Sequence, residues 1–504
     1  MPKVIQSFIT KGNNITESKL FPLTFIPLAI SFLLAFSPST SPLWFFVGED
    51  SGVFKSFGQA IIQGKVIYKD IFDNKGPILY FINALGQWIC MGKWGIFFIQ
   101  TIFLSSSLYF IFRTARLFSN GIWSTGALLV TLFVYTVTIQ DGNLCEEWMM
   151  YGFSVAIYLA VSWTIDLYKN SNEAIRKKRI RRDGLLYGFI AAYSFFIRPN
   201  DAVAIIGGIL LGMIIVICLH RKWRVLLTII PCVIMGFAII AIPLLFYFSS
   251  KNALQDFWYG LVGLNISYSG GNSNIWRLIP PHKINILLYS IAISTLIYGT
   301  YYKKVLLIIA PPLFFELILM GDNMYLHYLT VLIPFFALAF GVAQQVPSSL
   351  AILGISILLI VPAPDTDGRL LARQARHMFT SKNPIIPLDQ FQKQSFYDAD
   401  KLVSMIPSKE RNNVWNDLGG ENSLVFYAIF PYNNIVPCNK DIFRFDTIQS
   451  WNIHIKQDLS TISPKPLWVL SSQRHGDPWL KDSLLSPYRL VGSTDVYLLF
   501  QKQK

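Results

Sequence analysis

Charge is what this chain has least of. Only 14% of its 504 residues are Asp, Glu, Lys or Arg, 53% are hydrophobic, and the mean hydropathy is +0.44. That balance excludes a soluble globular protein of ordinary composition and implies an integral membrane protein. Cysteine is also sparse: Cys90, Cys145, Cys218, Cys232 and Cys438 stand singly, with neither Cys-x-x-Cys nor Cys/His ligand spacing. A disulfide framework and a zinc site of the usual kind are thereby excluded. The chain has no Walker A motif, no Gly-x-Ser-x-Gly, no His-Glu-x-x-His and no dinucleotide fingerprint. Driving energy must then come from an activated substrate or a gradient.

The charge that is present leans basic, with a net +14. Its densest run, "RKKRIRR" at 176–182, lies between two apolar segments. It reads as a cytoplasmic loop that fixes topology, and no nucleic-acid partner is expected. Lys3, Lys11 and Lys19 precede an apolar run that continues past residue 36 without a small-x-small cleavage site, which predicts an uncleaved first span. Crossing the hydrocarbon takes roughly 20 apolar residues. Candidate runs fall near 22–47, 95–112, 121–139, 148–168, 184–197, 202–219, 225–248, 285–302, 305–320, 326–344 and 348–363.

The segment "GPILYFINALGQWIC" at 76–90 reads either as a span or as a helix lying in the interface. Only the interfacial reading puts the N-terminal lysines and the basic loops at 113–120, 169–183, 220–224 and 301–304 all on the cytoplasmic side. The expectation is an α-helical polytopic membrane protein of about eleven transmembrane helices plus interfacial helices, in the inner (plasma) membrane, with its N-terminus cytoplasmic. The outer face then collects 48–94, "QDGNLCEE" at 140–147, "RPND" at 198–201, 249–284 and "GDNMYLHY" at 321–328.

After Pro362 and Pro364 the composition turns polar, and "NSLVFYAIF", "PLWVLSS" and "DVYLLFQ" have the length and pattern of strands. Residues 1–364 are expected to form the membrane unit and 365–504 a small extracytoplasmic α/β domain.

The candidate site residues cluster on the predicted outer face. Glu49 and Asp50 follow the first span, where Asp50 reads either as a helix cap or as a functional acid. Glu146 and Glu147 open another span. Two carboxylate sites meeting in one cavity can bind a divalent metal, hold a sugar's hydroxyls, or supply a general base and its orienting partner, and all three readings stand open. In "YKDIFDNKGP", Tyr68, Lys69, Asp73 and Lys75 precede Pro77, which is placed for the first turn of the next helix. Lys75 suits a lipid phosphate or ordinary headgroup attraction. Arg198, ahead of Pro199, suits either a phosphate clamp or snorkelling, with Asn200 and Asp201 as expected caps of the following helix. His327 and Tyr328 lie at the outer edge of the tenth span, among belt aromatics.

The order of "EDSGVF", "GQAIIQGKVIYKDIFDNKGPILYFINALG", "GNLCEEW", "IRPN", "DFWYGLVGLNISY" and "MYLHYLTVLIP" resembles bacterial polytopic glycosyltransferases of the GT-C superfamily over roughly residues 45 to 340. The likeness is greatest to the branch holding protein mannosyltransferases and the aminoarabinose transferase of lipid A. The resemblance implies a polyprenyl-phosphate sugar donor and an essential acid in the first outer loop, which by position is Asp50 beside Glu49. It implies a second acidic site at Glu146 and Glu147, and donor-phosphate contacts from Lys75, Arg198 and His327. Many members carry Asp-Glu where this chain has Glu49-Asp50, so either carboxylate fits the motif. The expected activity is transfer of a sugar to an extracytoplasmic glycan, lipid or protein, with inversion. The alternative is a transporter or flippase for an anionic lipid or polyprenyl-linked glycan, which predicts charges deep within spans.

Overall fold

Serine and proline stop the first hydrophobic run early. After a 3-10 turn at Phe21–Thr24, helix α1 spans Phe25–Phe36 and ends where Ser37-Pro38-Ser39-Thr40-Ser41-Pro42 begins. Two prolines remove backbone donors there, and the hydroxyls bond locally. The Ser41 hydroxyl donates to the Leu34 carbonyl at 2.9 Å, and the Trp44 indole donates to the same oxygen at 2.9 Å. The expected run at 22–47 is therefore a helix of 12 residues followed by an ordered polar turn.

The computed structural model describes residues 16, 18–44, 48–168, 173–269, 303–319, 326–343, 390–417, 430, 433–438, 440, 459, 462–474, 477–478 and 485–503. The expected spans at 285–302 and 348–363, and nearly all of "NSLVFYAIF", lie outside them. So does the boundary proposed near residue 364.

Helix α2, Glu49–Ile62, bears on one of the two readings of Asp50. Gly48 is its N-cap in an extended conformation, and Asp50 sits inside the first turn and caps nothing. Helix α3, Pro77–Ile89, opens on Pro77 as the sequence predicts. The bundle continues with α4, Trp94–Arg116, α5, Gly121–Thr138, α6, Cys145–Tyr168, α7, Glu173–Phe195, α8, Pro199–Leu219, and α9, Trp223–Ser250. Helices α4, α6, α8 and α9 are long and apolar enough to cross a membrane, and shorter apolar helices accompany them. The basic run 176–182 is helical in α7 rather than a loop. It lacks Gly and Pro, and buried Asp183 takes ion pairs from Arg179 at 3.2 Å and Arg182 at 2.8 Å.

Helices α7 and α9 cross at backbone contact. A Cβ on Gly188 would lie 1.9 Å from the Val233 carbonyl oxygen, so only glycine allows this approach. On the other side of α9, Leu227, Ile234, Ile242 and Phe246 are 63–77% exposed, an apolar surface suited to lipid. Helix α10 runs from Leu254–Trp258 through a π segment, Tyr259–Gly263, to Leu264–Ser269. Helix α11 is Lys303–Leu319, and a 3-10 stretch, Leu326–Leu332, leads into α12, Ile333–Ala343.

In the tail, α13, Gln390–Ser404, accompanies a sheet of order β1-β2-β5-β4, with β1 at Val414–Asn416, β2 at Trp468–Arg474, β4 at Tyr488–Ser493 and β5 at Tyr497–Lys502. β1 and β2 are parallel and the other two pairs antiparallel, while the short β3, Asp477–Pro478, pairs with the end of β2. The strands expected from "PLWVLSS" and "DVYLLFQ" are β2 and β5. The tail rests on α2 and the loop after it: the Asn434 side-chain oxygen accepts from Gln59 at 2.5 Å and Gln63 at 2.8 Å, and the Phe72 amide donates to the Lys440 carbonyl at 3.0 Å.

Candidate active site

A buried amide hub fixes the start of α2. Asn143, in a left-handed conformation at φ 60°, donates to the Ser51 hydroxyl at 2.9 Å and to the Asn83 side-chain oxygen at 2.9 Å, and accepts from the Trp148 indole at 3.0 Å. One side chain thus joins α2, α3 and α6 beside Asp50. Asn143→Leu would strand three buried polar groups, each at about 1–3 kcal/mol. The expected result is a fall in stability of several kcal/mol, read by thermal unfolding of the full chain. An unchanged midpoint would remove Asn143 from this role.

The loop from 63 to 76 is held just as firmly. Tyr68, at φ 69°, donates its hydroxyl to the Lys75 carbonyl at 2.6 Å. Buried Asp73 accepts from the Tyr80 hydroxyl at 2.5 Å and the Asn74 amide at 2.7 Å. The Gly76 amide donates to the Ile197 carbonyl at 2.8 Å, and a Cβ there would lie 2.1 Å from the Phe196 carbonyl oxygen. Glycine is thus what lets the loop lie flat on the end of α7, one residue from Arg198. Arg198 itself is extended because Pro199 follows it, which ends α7 and turns the guanidinium inward. It is the N-cap of α8, so Asn200 and Asp201 lie inside the first turn and neither caps it, which corrects the expectation from the sequence.

Arg198 is the centre of the charge cluster. It pairs with Glu146 and, at 3.3 Å, with Asp201, and it stacks on the Tyr328 ring at 4.5 Å. The His327 ring meets Tyr328 edge-on at 4.7 Å. Asp50 is exposed, yet the protein around its other sides pushes its carboxyl above the ordinary value. Lys75 and His327 draw it back down, while Glu146 and Asp73 push it further up. The fields acting on this one carboxyl place Asp50, Lys75, His327, Glu146 and Asp73 within electrostatic reach of one another.

Three expected members are directed elsewhere. The Glu147 carboxylate turns into the helix packing, where it accepts from Tyr135 at 2.5 Å, Gln100 at 3.3 Å and the Leu144 amide at 3.0 Å. Lys69 reaches the Lys251 carbonyl at 2.8 Å. Tyr68 acts through the Lys75 backbone. The Glu49 backbone opens α2, and its side chain lies outside the described groups. Two contributors escaped the sequence reading. Asn143 had no local signal beyond its polar stretch. Glu316, only 2% exposed, lies within reach of Asp201, Arg198 and Glu146. A lone acid within "PPLFFELILM" was the available signal for it. Among the described residues no three of His, Cys, Asp and Glu converge as metal ligands.

Neither a protein-family model nor a curated protein sequence matches the chain. Solved structures do. An oligosaccharyltransferase of Archaeoglobus fulgidus in complex with Zn and sulfate matches with a TM-score of 0.42 and 11% identity, covering 89% of this chain and 68% of that one. The oligosaccharyltransferase AglB of the same organism, in complex with an inhibitory peptide and a dolichol-phosphate, gives 0.42 and 12%, covering 90% and 70%. ArnT from Cupriavidus metallidurans, bound to undecaprenyl phosphate, matches with a TM-score of 0.53 and 11% identity over 96% of this chain and 98% of that one. Along nearly its whole length, then, this chain has the fold of ArnT.

Proposed function

We propose that the protein is a membrane glycosyltransferase that moves a sugar from a polyprenyl-phosphate donor to an acceptor outside the cytoplasm. The observation that carries this reading is the grouping of one exposed carboxylate, Asp50, with Lys75, Arg198 and His327 on a fold shared with a polyprenyl-phosphate-bound relative. The donor's lipid chain stays in hydrocarbon while its sugar phosphate lies at the mouth of the bundle. Asp50 takes the proton from the acceptor hydroxyl or amine as that group attacks the anomeric carbon. The bond from that carbon to the phosphate oxygen breaks, and the lipid phosphate leaves with the electron pair. Arg198 and Lys75 offset its growing charge, aided by His327. A single displacement inverts the anomeric centre. The arrangement of about eleven spans, with the N-terminus inside and the tail outside in the inner membrane, belongs to the same proposal, as does the division into units 1–364 and 365–504.

Donor consumption by the full-length protein in detergent, where nothing can be transported, tests the reading. Release of polyprenyl phosphate in step with acceptor glycosylation is expected. An intact donor beside a competent acceptor would favour a transporter.

The raised Asp50 carboxyl adds a pH prediction. A base works only deprotonated, so kcat/KM climbs with pH through an acid limb lying above the usual carboxylate range. Initial rates across pH check this, and activity that fell with rising pH through the same region would assign Asp50 the opposite role.

A further inference from the structure

A second polar cavity lies apart from the Arg198 cluster, where the tail meets the loop after α2. It measures 390 Å³ and is lined by Gln63, Lys65, Lys69, Asp70, Cys438 and Lys440. Three ammonium groups thus face one carboxylate. That carboxylate is already engaged locally, since Asp70 Oδ2 accepts from the Val66 amide at 2.8 Å. Lys65 Nζ donates to the Pro437 carbonyl at 3.2 Å, Lys69 Nζ to the Lys251 carbonyl at 2.8 Å, and Lys440 Nζ lies 3.4 Å from Asp256. Two of the three cations therefore rest on neutral carbonyls, and the lining keeps a positive excess. Burial draws the Lys65 ammonium below its ordinary value, the mark of a cation short of compensation, although Cys438 and Asp70 pull the other way.

The position of the cavity is as telling as its charge. Lys251 is the C-cap of α9, the helix with the exposed apolar face, so the cavity opens at the level where a membrane-crossing helix ends. Phosphate groups stand at that level in a bilayer. Lys65 and Lys69 come from the loop and Lys440 from the tail, so a single anion would bridge the two.

We propose that this cavity binds a phosphate group presented at the membrane surface, as an anion site separate from the donor-phosphate cluster. Three lysine ammoniums can surround phosphate oxygens with charge-assisted hydrogen bonds. The phosphate belongs either to an anionic phospholipid headgroup or to a phosphorylated acceptor, and the chemistry of recognition is the same. Binding of a phosphate here does not depend on the glycosyl-transfer reading, whereas its assignment to an acceptor rests on that reading.

The test titrates the full-length protein, in zwitterionic detergent, with short-chain phosphatidylglycerol and separately with glucosamine 1-phosphate. Saturable binding of the lipid alone identifies the headgroup as the source. Binding of the sugar phosphate, alone or with the lipid, identifies the acceptor. Both support the site. The Lys65→Met/Lys440→Met double variant is expected to weaken binding by at least about tenfold, while Lys65→Arg/Lys440→Arg retains it. If the double variant loses its cooperative thermal transition, the exposed Lys69→Met variant supplies the same reading, with roughly tenfold weaker binding expected. The proposal is overturned if neither probe binds saturably. It is also overturned if binding survives in the lysine variants and disappears in Arg198→Met, since the anion would then occupy the donor cluster.

Discussion

Asp50→Asn is expected to lower the rate of sugar transfer by about 10²–10⁴, the range that a positioned general base contributes. The substitution keeps the side chain's size and removes only its ability to take a proton. Because Asp50 caps no helix and is exposed, the fold should survive. The folded protein raises the Asp50 carboxyl above its ordinary value, so losing the charge is not expected to lower the thermal midpoint. Transfer from a labelled polyprenyl-phosphate donor, measured beside thermal unfolding, separates the two effects. Wild-type rates in Asp50→Asn would remove Asp50 from catalysis. A large loss in Glu49→Gln alone would move the base to its neighbour, as the inverted order of the two acids allows.

The second large effect belongs to Arg198. Removing the guanidinium takes from Glu146 and Asp201 the cation they pair with directly, beside buried Glu316, and leaves Lys75 as the positive charge still acting on them. Breaking a buried ion pair of this kind costs about 3–5 kcal/mol, so Arg198→Ala should lose stability as well as activity. Arg198→Lys is the more informative variant. It keeps the charge but loses the planar fork that reaches two carboxylates and stacks on Tyr328. Under the proposed function, much of the stability returns while kcat stays down by about 10²–10³, because charge on the leaving phosphate is no longer met in the right geometry. Steady-state kinetics with varied donor reads the split. Full kcat in Arg198→Lys with only a raised KM would make Arg198 a ground-state binder.

The features legible in the sequence are those set by short-range physics. Apolar runs located α4, α5, α6, α8 and α9 to within a few residues, since length and hydrophobicity decide which segments can cross a bilayer. Pro77 at the start of α3 and the break at Arg198-Pro199 follow from the fixed geometry of proline. The charged stretch at 48–77 does bring Asp50, Asp73 and Lys75 within electrostatic reach of one another. Glu147 shows where adjacency misleads. Consecutive residues on a helix point about 100° apart, so Glu146 can face Arg198 only if Glu147 faces another direction, here Tyr135 and Gln100. The sequence left open whether Asp50 caps α2, because it could not show that Gly48 takes the extended N-cap conformation without a side chain. Asn143 joins Ser51 and Asn83, and Glu316 meets its charged neighbours, 60 or more residues away in the chain, and no local pattern encodes such a meeting.

The central claim is that one outward-facing cluster holds both the base and the cations that receive a lipid phosphate. Cryo-electron microscopy of the full-length protein in lipid nanodiscs with undecaprenyl phosphate tests it most directly. The account predicts the phosphate within hydrogen-bonding distance of Arg198 and Lys75, with Asp50 across an open space large enough for a sugar. Phosphate density bound elsewhere, with Arg198 still enclosed by Glu146 and Asp201 alone, would contradict it.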